Sequence, residues 1–389
     1  ALWFKSNFIL MKILLLGEYI NLHNSLKKGL VELGHEVTLI SSGDGFKSFE
    51  SDILFNKPAI VSSSGVLKKL FTFIFRYPFS FYLRSLQFQS VLPKLKDYDF
   101  IQLVNEHAIG GVPWIEKRQL KRLKKQNKHM VLLCCGEDYN IIHYCLNSEN
   151  LKYSNLTPLL EDKSLTPDYA YSLKYITPSF KKLSKYIEEV TIGTIASDMD
   201  YHLPLQGNSN YLGMIPNPIA LSKESEGSNQ KKGTTILLGI NTNNYTKKGL
   251  KYFDEALTRI EKKYPNVIIK KTTNLPFKDY MAEVKKADIL LDQIYCYDQG
   301  YNALQAMAFG KVVFTGAEQA FLAYYNLKED EVAINALPDV DYLVHKLSSL
   351  IESPKKTKTI GANAKAFVLK HHKAKEVAKK YVETWINAA

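Results

Sequence analysis

The chain has 389 residues, of which 46% are hydrophobic and 23% are charged. This length predicts about two domains, and the composition excludes a wholly disordered chain. The formal net charge of +12 favours anionic partners such as phosphates or acidic lipids. The four cysteines are too few for a disulfide scaffold and indicate a reducing, cytoplasmic setting. No apolar stretch is long enough to span a bilayer.

The basic excess is concentrated in one part of the chain. Between residues 61 and 135, thirteen lysines and arginines stand against four acids, and an aromatic run occupies residues 71–82. The basic stretches Lys68–Arg84 and Lys117–Lys128 predict docking on an anionic surface, the inner face of the cytoplasmic membrane. A buried helix pair with a solvated basic face is an equally good interpretation. Nucleic acid is disfavoured, because no zinc-ligand spacing, RNP-like motif or KH-type loop organises the charge.

The N-terminal half alternates short apolar runs with helical patterns, and Gly34 closes the first helix, over about 24–33. The predicted strands are Lys12–Leu16, Glu36–Ile40, Phe100–Val104, His129–Cys135 and Glu189–Ile192. This strand–helix alternation predicts a doubly wound parallel sheet.

A turn-rich stretch over 207–218 marks a domain boundary, and a second alternating series follows it. Its predicted strands are Thr235–Gly239, Asn266–Lys271, Asp288–Leu291 and Lys311–Phe314, with helices over Gly249–Lys263, Phe277–Lys286 and Tyr301–Phe309. We therefore predict an N-terminal domain over residues 1–215 and a C-terminal domain over residues 216–371. Ligands of open α/β sheets bind at the carboxyl ends of the strands, so a ligand should lie in the cleft between the domains.

The most informative segment runs from residue 287 to residue 313 and reads as strand, loop, helix and strand. Its helix begins near Gln299–Asn302, where free backbone N–H groups and the positive end of the helix dipole form an anion site suited to a diphosphate. Gly300 lets the backbone approach the ligand closely. Gln305, one to two turns further on, could reach a neighbouring hydroxyl.

This segment resembles the C-terminal domain of GT-B glycosyltransferases, specifically the retaining family 4 enzymes. Ala306–Val313 matches their A-M-A-x-G-K-x-V motif, and Asp292-Gln293 is similar to the bacterial surface-polysaccharide branch. Gly17-Glu18 and Leu33–Thr38 resemble the opening of that branch. The resemblance implies two Rossmann-like domains facing across a cleft, with the last helix, about 372–389, packed back on the N-terminal domain.

The resemblance also implies a reaction. A sugar passes from a nucleotide-diphosphate sugar to a hydroxyl of a glycan or lipid-linked acceptor, with retention, as in capsule, O-antigen or glycoconjugate synthesis. No protein nucleophile and no metal are required. A non-catalytic homologue that acts as a binding protein and a GT-B-fold sugar-nucleotide epimerase are the alternatives. Sugar, nucleotide and acceptor identity stay open.

The donor site implied by the resemblance follows the strand ends of the C-terminal domain, with one N-terminal glycine. Its residues are Gly17, Asn241, Asn243, Lys247, Lys248, Leu275, Gln299, Gly300, Tyr301, Asn302 and Gln305. Lys248 matches the lysine that holds the donor diphosphate. The residues given catalytic roles are His107, Lys248 and Asp298.

Three positions depart from the family pattern. Gln305 replaces the second glutamate of E-x7-E, which hydrogen-bonds the donor ribose in the family. Tyr297 stands at the first glutamate, so Asp298 is the nearest carboxylate. Thr242 stands at the arginine of the Arg-x5-Lys-Gly segment, and Lys247 is the candidate to replace its charge.

The sugar and acceptor side of the site is expected on the N-terminal domain. The candidates are His23, Glu106, Glu137 and Asp138, with His107 at the cleft edge. A structural role is an equal alternative for His107, as is helix capping for Glu137 and Asp138.

No metal ligand set is predicted. His/Cys clusters with ligand spacing do not occur, and Asp198-Met199-Asp200 has the Asp-x-Asp spacing without a predicted strand leading into it. The nucleotide sugar is thus a co-substrate, and no cofactor is expected.

Overall fold

Each half of the chain folds around one parallel β-sheet in the computed structural model, which describes residues 10–43, 49–55, 72, 74, 76–220 and 233–389. A seven-stranded sheet has the order β3-β2-β1-β4-β5-β6-β7, and a five-stranded sheet has the order β12-β11-β10-β8-β9. We name the sheets with their covering helices the N-lobe and the C-lobe. The two sheets confirm the predicted α/β architecture. Among the described residues, no helix combines the length and apolar character needed to cross a membrane.

The N-lobe strands are β1 (Lys12–Leu16), β2 (Glu36–Ser41), β3 (Ile53–Leu54), β4 (Phe100–Leu103), β5 (His129–Cys134), β6 (Thr194–Ala196) and β7 (Tyr211–Met214). Its helices are α1 (Leu22–Glu32), α2 (Phe79–Val91), α3 (Pro113–Lys125), α4 (Tyr139–Asn147), α5 (Thr157–Glu161), α6 (Ala170–Leu173), α7 (Pro178–Val190) and α8 (Met199–Leu205). The central strand β1 is almost entirely buried, because a parallel strand is covered by helices on both faces. Leu14 lies opposite Thr38 on one side and Ile101 on the other.

The C-lobe strands are β8 (Thr235–Ile240), β9 (Ile268–Thr273), β10 (Ile289–Leu291), β11 (Val312–Thr315) and β12 (Ile334–Asn335). Its helices are α9 (Leu250–Lys263), α10 (Phe277–Lys286), α11 (Tyr301–Ala308), α12 (Gln319–Tyr325), α13 (Val340–Glu352) and α14 (Pro354–His371). Helix α9 buries Leu250, Phe253, Leu257 and Ile260, whose spacing of three and four residues places them on one face.

One predicted strand is wrong. Residues 189–190 end helix α7, and the strand that pairs with β5 is β6, which begins four residues later than the end of that helix. Ile192 N–H donates to Met130 O at 2.8 Å, so the chain joins β5 only at the last residue of the predicted strand. Gly193 follows, where an added Cβ would lie 2.5 Å from the Leu212 side chain on β7. β7 itself lies within the stretch that reads as turns, because its partner β6 supplies its pairing.

The chain crosses between the lobes twice, and the two crossings are hydrogen-bonded to each other. Ile219 N–H donates to His372 O at 2.6 Å, and Ala374 N–H donates to Ile219 O at 3.2 Å. After the second crossing, helix α15 (Ala374–Ala388) packs against α1 of the N-lobe. Its Trp385 is fully buried and stacks on Phe100 with ring centroids 5.7 Å apart.

The turn between β1 and α1 is fixed by a buried histidine. His23 Nδ1–H donates to Gly17 O at 2.6 Å, and His23 Nε2 is 3.1 Å from the Gln102 amide nitrogen. Gly17 has φ +88°, and a Cβ there would lie 2.4 Å from Val104 Cγ1. Both residues are thus committed to packing β1 against β4, which differs from their expected positions in the ligand site.

Replacing Gly29 by alanine tests how closely α15 approaches α1. A Cβ at Gly29 would lie 2.3 Å from Ala374 O and 2.9 Å from Ala378 Cβ. We expect Gly29→Ala to lower the free energy of unfolding by about 1–3 kcal/mol, although alanine favours a helix. Urea unfolding measures this, with Lys28→Ala on the exposed side of α1 as the control. Unchanged stability of Gly29→Ala would contradict the close approach.

The buried His23 predicts an acid-sensitive fold. Burial lowers the pKa of His23 from 6.5 to about 4. Between these pH values the unfolded chain binds a proton that the folded chain does not, so stability falls as pH falls from 6.5 to 4. His23→Asn, which keeps a donor toward Gly17, should flatten this dependence by up to about 1.4 kcal/mol per pH unit. Urea unfolding at several pH values measures both slopes; parallel slopes would refute the assignment.

Candidate functional site

A cavity of about 480 Å³ lies between the lobes, within the size range of small-ligand sites. It opens at the carboxyl ends of strands from both sheets, since its lining includes residues that follow β1, β5, β8 and β10. From these four positions come Tyr19, Gly136, Lys248 and Asp292. The cavity therefore occupies the cleft that the strand–helix alternation predicts.

A buried carboxylate organises the C-lobe wall. Asp292 directly follows β10, and its side chain is 1% exposed. Its Oδ1 accepts from Lys248 Nζ at 3.0 Å and from Asn302 Nδ2 at 2.8 Å. The lysine after β8 and the first turn of α11 are thereby held around one oxygen atom.

The N-terminus of α11 points at the same place. Gly300 is its N-cap residue, and no side chain caps the helix there. Gly300, Tyr301 and Asn302 all line the cavity together with Lys248. A helix N-terminus and an ammonium group both attract anions, so this wall of the cavity suits a phosphate group.

Lys247 joins the two lobes at the cavity. Its Nζ donates to Glu137 Oε1 at 3.0 Å and to Ser172 Oγ at 2.6 Å, both on the N-lobe. Glu137 also accepts from Asn155 Nδ2 at 3.1 Å. The structure thus brings Lys247 and Glu137 into the cavity as an ion pair.

Aromatic side chains form much of the lining, and of these only Tyr301 was predicted as a site residue. Eight tyrosines contribute: Tyr19, Tyr153, Tyr171, Tyr175, Tyr201, Tyr295, Tyr297 and Tyr301. The only sequence signal was the tyrosine content of 24 residues. Burial raises the pKa of Tyr153, so its hydroxyl stays protonated and donates to Glu318. Rings with polar tips suit a sugar, whose faces are apolar and whose rim carries hydroxyls.

Contacts across the cleft close the cavity on several sides. Tyr301 OH from the C-lobe donates to Asn21 O at 3.2 Å. Lys152 N–H from the N-lobe donates to Tyr297 OH at 2.8 Å, and Lys152 Nζ is 3.1 Å from Glu318 Oε1. The structure is therefore a closed arrangement of the lobes.

His107 does not lie at the cleft edge, so its expected position is wrong. The side chain is 3% exposed, and its Nε2–H donates to Gly111 O at 2.7 Å. It packs against Phe180 and Phe81, with ring centroids 4.9 and 5.3 Å away. Burial lowers its pKa to about 3, which keeps the ring neutral. The loop after β4 turns inward here because Glu116 of α3 accepts from two of its backbone N–H groups.

Two N-lobe acids also lie in the core and not among the lining residues. Glu106 accepts from Ser184 Oγ at 2.6 Å and from Tyr139 N–H at 3.0 Å. Asp138 accepts from Ile141 N–H at 2.8 Å and caps helix α4. Glu106 and Asp138 do not line the cavity, and neither do His23 and Gly17.

Several expected donor residues of the C-lobe lie beside the cavity rather than on its wall. These are Asn241, Asn243, Leu275, Gln299 and Gln305. Asn241 Oδ1 accepts from Asn243 N–H at 3.1 Å, and Gln299 Nε2 donates to Gly316 O at 2.9 Å. Gln305 Oε1 is buried and has no hydrogen-bond partner among the described residues.

Asp298 faces away from the cavity. Tyr297 lines the cavity, and the next side chain points to the other side of the loop, where Met199 N–H donates to Asp298 Oδ2 at 2.9 Å. The position expected for the carboxylate that contacts the transferred sugar is therefore taken by a tyrosine.

Comparisons with known proteins agree with this architecture. Residues 248–383 match a family model described as glycosyl transferase-like. No curated protein sequence matches the chain.

Three solved structures resemble the chain over nearly its whole length. Sucrose-phosphate synthase of Thermosynechococcus elongatus has a TM-score of 0.58 and 14% identity, covering 97% of this chain and 98% of that chain. Anabaena Alr3699/HepE, in complex with UDP and glucose, has a TM-score of 0.58 and 14% identity, with 96% and 99% covered. A Listeria monocytogenes protein described as a candidate UDP-N-acetylglucosamine 2-epimerase has a TM-score of 0.53 and 9% identity, with 96% and 95% covered.

At these identities the likeness shows a shared fold. The chain has the two Rossmann-like domains of the GT-B fold. Within this fold, residues 248–383 are the part that matches the glycosyl transferase-like model.

Proposed function

We propose that this protein is a glycosyltransferase that moves a sugar from a nucleoside-diphosphate sugar to a hydroxyl group. One observation carries the proposal: the Lys248 ammonium and the uncapped N-terminus of α11 meet in the cavity between the lobes. Two sources of positive potential at one point suit the diphosphate of such a donor.

For this reaction the protein must stabilise negative charge on the departing diphosphate. Lys248 and the first-turn N–H groups of α11 are already in place for this, because Asp292 holds Lys248 and Asn302 on one oxygen. Groups fixed before the reaction stabilise developing charge without reorganising. A donor phosphate would then bind beside Lys248, next to the Asp292 carboxylate that pairs with the same lysine.

The finer features of the proposal rest on the resemblance to the family 4 enzymes. We extend it to retention at the anomeric carbon and to transfer without a metal ion at the diphosphate. The acceptor would be a hydroxyl of a glycan or lipid-linked glycan in bacterial surface-polysaccharide synthesis. The tyrosine-lined part of the cavity is the region that suits the transferred sugar.

Two other functions make different predictions. The Listeria neighbour motivates an epimerase, which would convert the donor sugar without an acceptor and without releasing nucleotide. The neutral Gln305 and the missing arginine at Thr242 motivate a non-catalytic homologue, which would bind a nucleotide sugar without turnover.

Replacing Lys248 tests the proposed function directly. UDP-sugars are the first donors to try, because the Anabaena structure holds UDP and glucose. We expect the purified protein to release UDP from a matching donor by transfer or slow hydrolysis. Lys248→Ala should lower this rate by about 10²–10³, the loss of one charge-stabilising contact in a transition state. Coupled detection of released nucleotide diphosphate measures both rates.

The matched control is Lys262→Ala, which removes an exposed lysine from the last turn of α9, the helix that follows Lys248. This variant should keep the wild-type rate. Equal rates for Lys248→Ala and wild type would contradict the proposed site. Donor binding without turnover across a broad panel of nucleotide sugars and acceptors would favour the non-catalytic alternative.

We further propose that the N-lobe docks on an anionic membrane surface. Helix α3 exposes Trp114, Lys117, Arg118 and Lys121, and Arg118 stacks over the Trp114 ring at 5.1 Å. The neighbouring α2 exposes Leu86, which is 69% accessible. We name these five residues the basic–apolar face. Residues 68–71, 73 and 75 of the stretch Lys68–Arg84 lie outside the described residues.

Vesicle sedimentation tests this face. Vesicles containing phosphatidylglycerol should bind the protein at low salt and release it as salt rises, since exposed charges are screened. The double variant Lys117→Glu and Lys121→Glu should weaken binding by about tenfold or more. The control replaces Lys262 and Lys358, two exposed lysines of the C-lobe, by glutamate. Equal binding by both double variants, or binding indifferent to salt, would refute docking through this face.

A further inference from the structure

A second, much smaller cavity lies where the two lobes meet the first crossing of the chain. Its volume is about 10 Å³, which is room for one water-sized occupant. Asp198 of the N-lobe, Asp298 of the C-lobe and Asn217 of the crossing all line it. His372, on the second crossing, completes that side of the cavity.

Three carboxylates converge at this point. Asp198, Asp200 and Asp298 each bring one oxygen, and these oxygens lie within 4.8 Å of one another. Asp198 lies two residues beyond β6 and Asp200 lies in the first turn of α8, so a strand does lead into the Asp-x-Asp spacing. The sequence predicts the strand at residues 189–192, so the strand that precedes Asp198 was not recognised.

The cavity is lined by oxygens that lack a partner. Asp198 Oδ1 and Asp298 Oδ1 are buried and accept no hydrogen bond among the described residues. Asn217 Oδ1, on the crossing between the lobes, is also buried without a hydrogen-bond partner among the described residues. Asn217 is 2% exposed. Leaving a buried polar atom unpaired is costly, so a cavity with three such atoms is poorly explained as an empty space.

The negative charge of the cluster is not balanced by the protein. No lysine or arginine in the described part of the chain forms an ion pair with Asp198, Asp200 or Asp298. The cluster must therefore carry protons or hold a cation.

The geometry points to a binding site for a hard divalent cation, of the calcium type, held by Asp198, Asp298 and Asn217 with Asp200 beside them. Carboxylate and amide oxygens are the ligands that such ions take. Ca²⁺ accepts irregular arrangements of oxygen ligands, whereas Mg²⁺ demands near-octahedral geometry, so this mixed set of carboxylate and amide oxygens suits Ca²⁺ better.

The bound ion would join three parts of the chain. Asp198 belongs to the N-lobe, Asp298 to the C-lobe and Asn217 to the linker between them. A cation here stabilises the closed arrangement of the lobes. Asp198 and Asp200 also line the larger cavity, whereas Asp298, Asn217 and His372 do not. Ion binding is measured without sugar transfer, so the test of this site does not depend on the proposed transferase activity.

Thermal unfolding with and without Ca²⁺ tests the site, using the full chain after treatment with EDTA. Saturating Ca²⁺ should raise the Tm of the wild type by about 2 °C or more, and Mg²⁺ should raise it less. Asp298→Asn keeps the shape and removes one charged ligand, so it should lose this shift. Asp341→Asn, an exposed acid of the C-lobe, is the control and should keep it.

Titration with Tb³⁺ gives a second readout that does not depend on stability. Tyr201 and Tyr325, near the cluster, should sensitise its luminescence, and Ca²⁺ should compete it away. Asn217→Ala should weaken Tb³⁺ binding by about tenfold, which keeps the test valid if Asp298→Asn fails to fold. A wild type that binds neither ion would overturn the proposal. Greater stability of Asp298→Asn at pH 8 would then show that the carboxylates share protons instead of holding a cation. Equal binding by the wild type and both variants would also overturn the proposal.

Discussion

The candidate site depends on one buried carboxylate. Asp292 sits at the end of β10 with a side chain 1% exposed, where an unpaired negative charge would be strongly unfavourable. Lys248 and Asn302 satisfy it, and in doing so they are brought to one point from two different segments. The need to neutralise Asp292 thus fixes the geometry of the positive wall before any ligand arrives. The same wall then faces the tyrosines contributed by both lobes.

Most of the fold could be predicted from the sequence, because buried parallel strands are continuous apolar runs between helical patterns. The strands that were missed are β3, β7 and β12, which are short and lie at or near sheet edges. These strands have only two to four residues, too few for a strand pattern to be recognised, and their pairing depends on the neighbouring strand. The predicted strand near residue 190 begins too early because Val190 ends helix α7, and a short apolar segment suits a helix end as well as a strand.

The two walls of the site differed in how well the sequence predicted them. On the C-lobe, Lys248 and Gly300–Asn302 were found because the anion site is built by a local strand–loop–helix pattern. On the N-lobe, His107 and Glu106 follow a strand end but turn inward, because Glu116 of the next helix and Ser184 of the distant α7 bind that loop. Which side of a strand end faces a ligand is decided by such long-range contacts, and no local pattern reports them.

The doubled connection between the lobes makes their boundaries discontinuous in the chain. Helix α15 supplies Trp385 to the core beside Phe100, although nearly the whole C-lobe separates the two in sequence. A fragment that ended near residue 215 would leave the groove over Gly29 and Phe100 uncovered. The N-lobe core is therefore completed only after α15 has left the ribosome, whereas the C-lobe is a contiguous insertion between the two parts of the N-lobe.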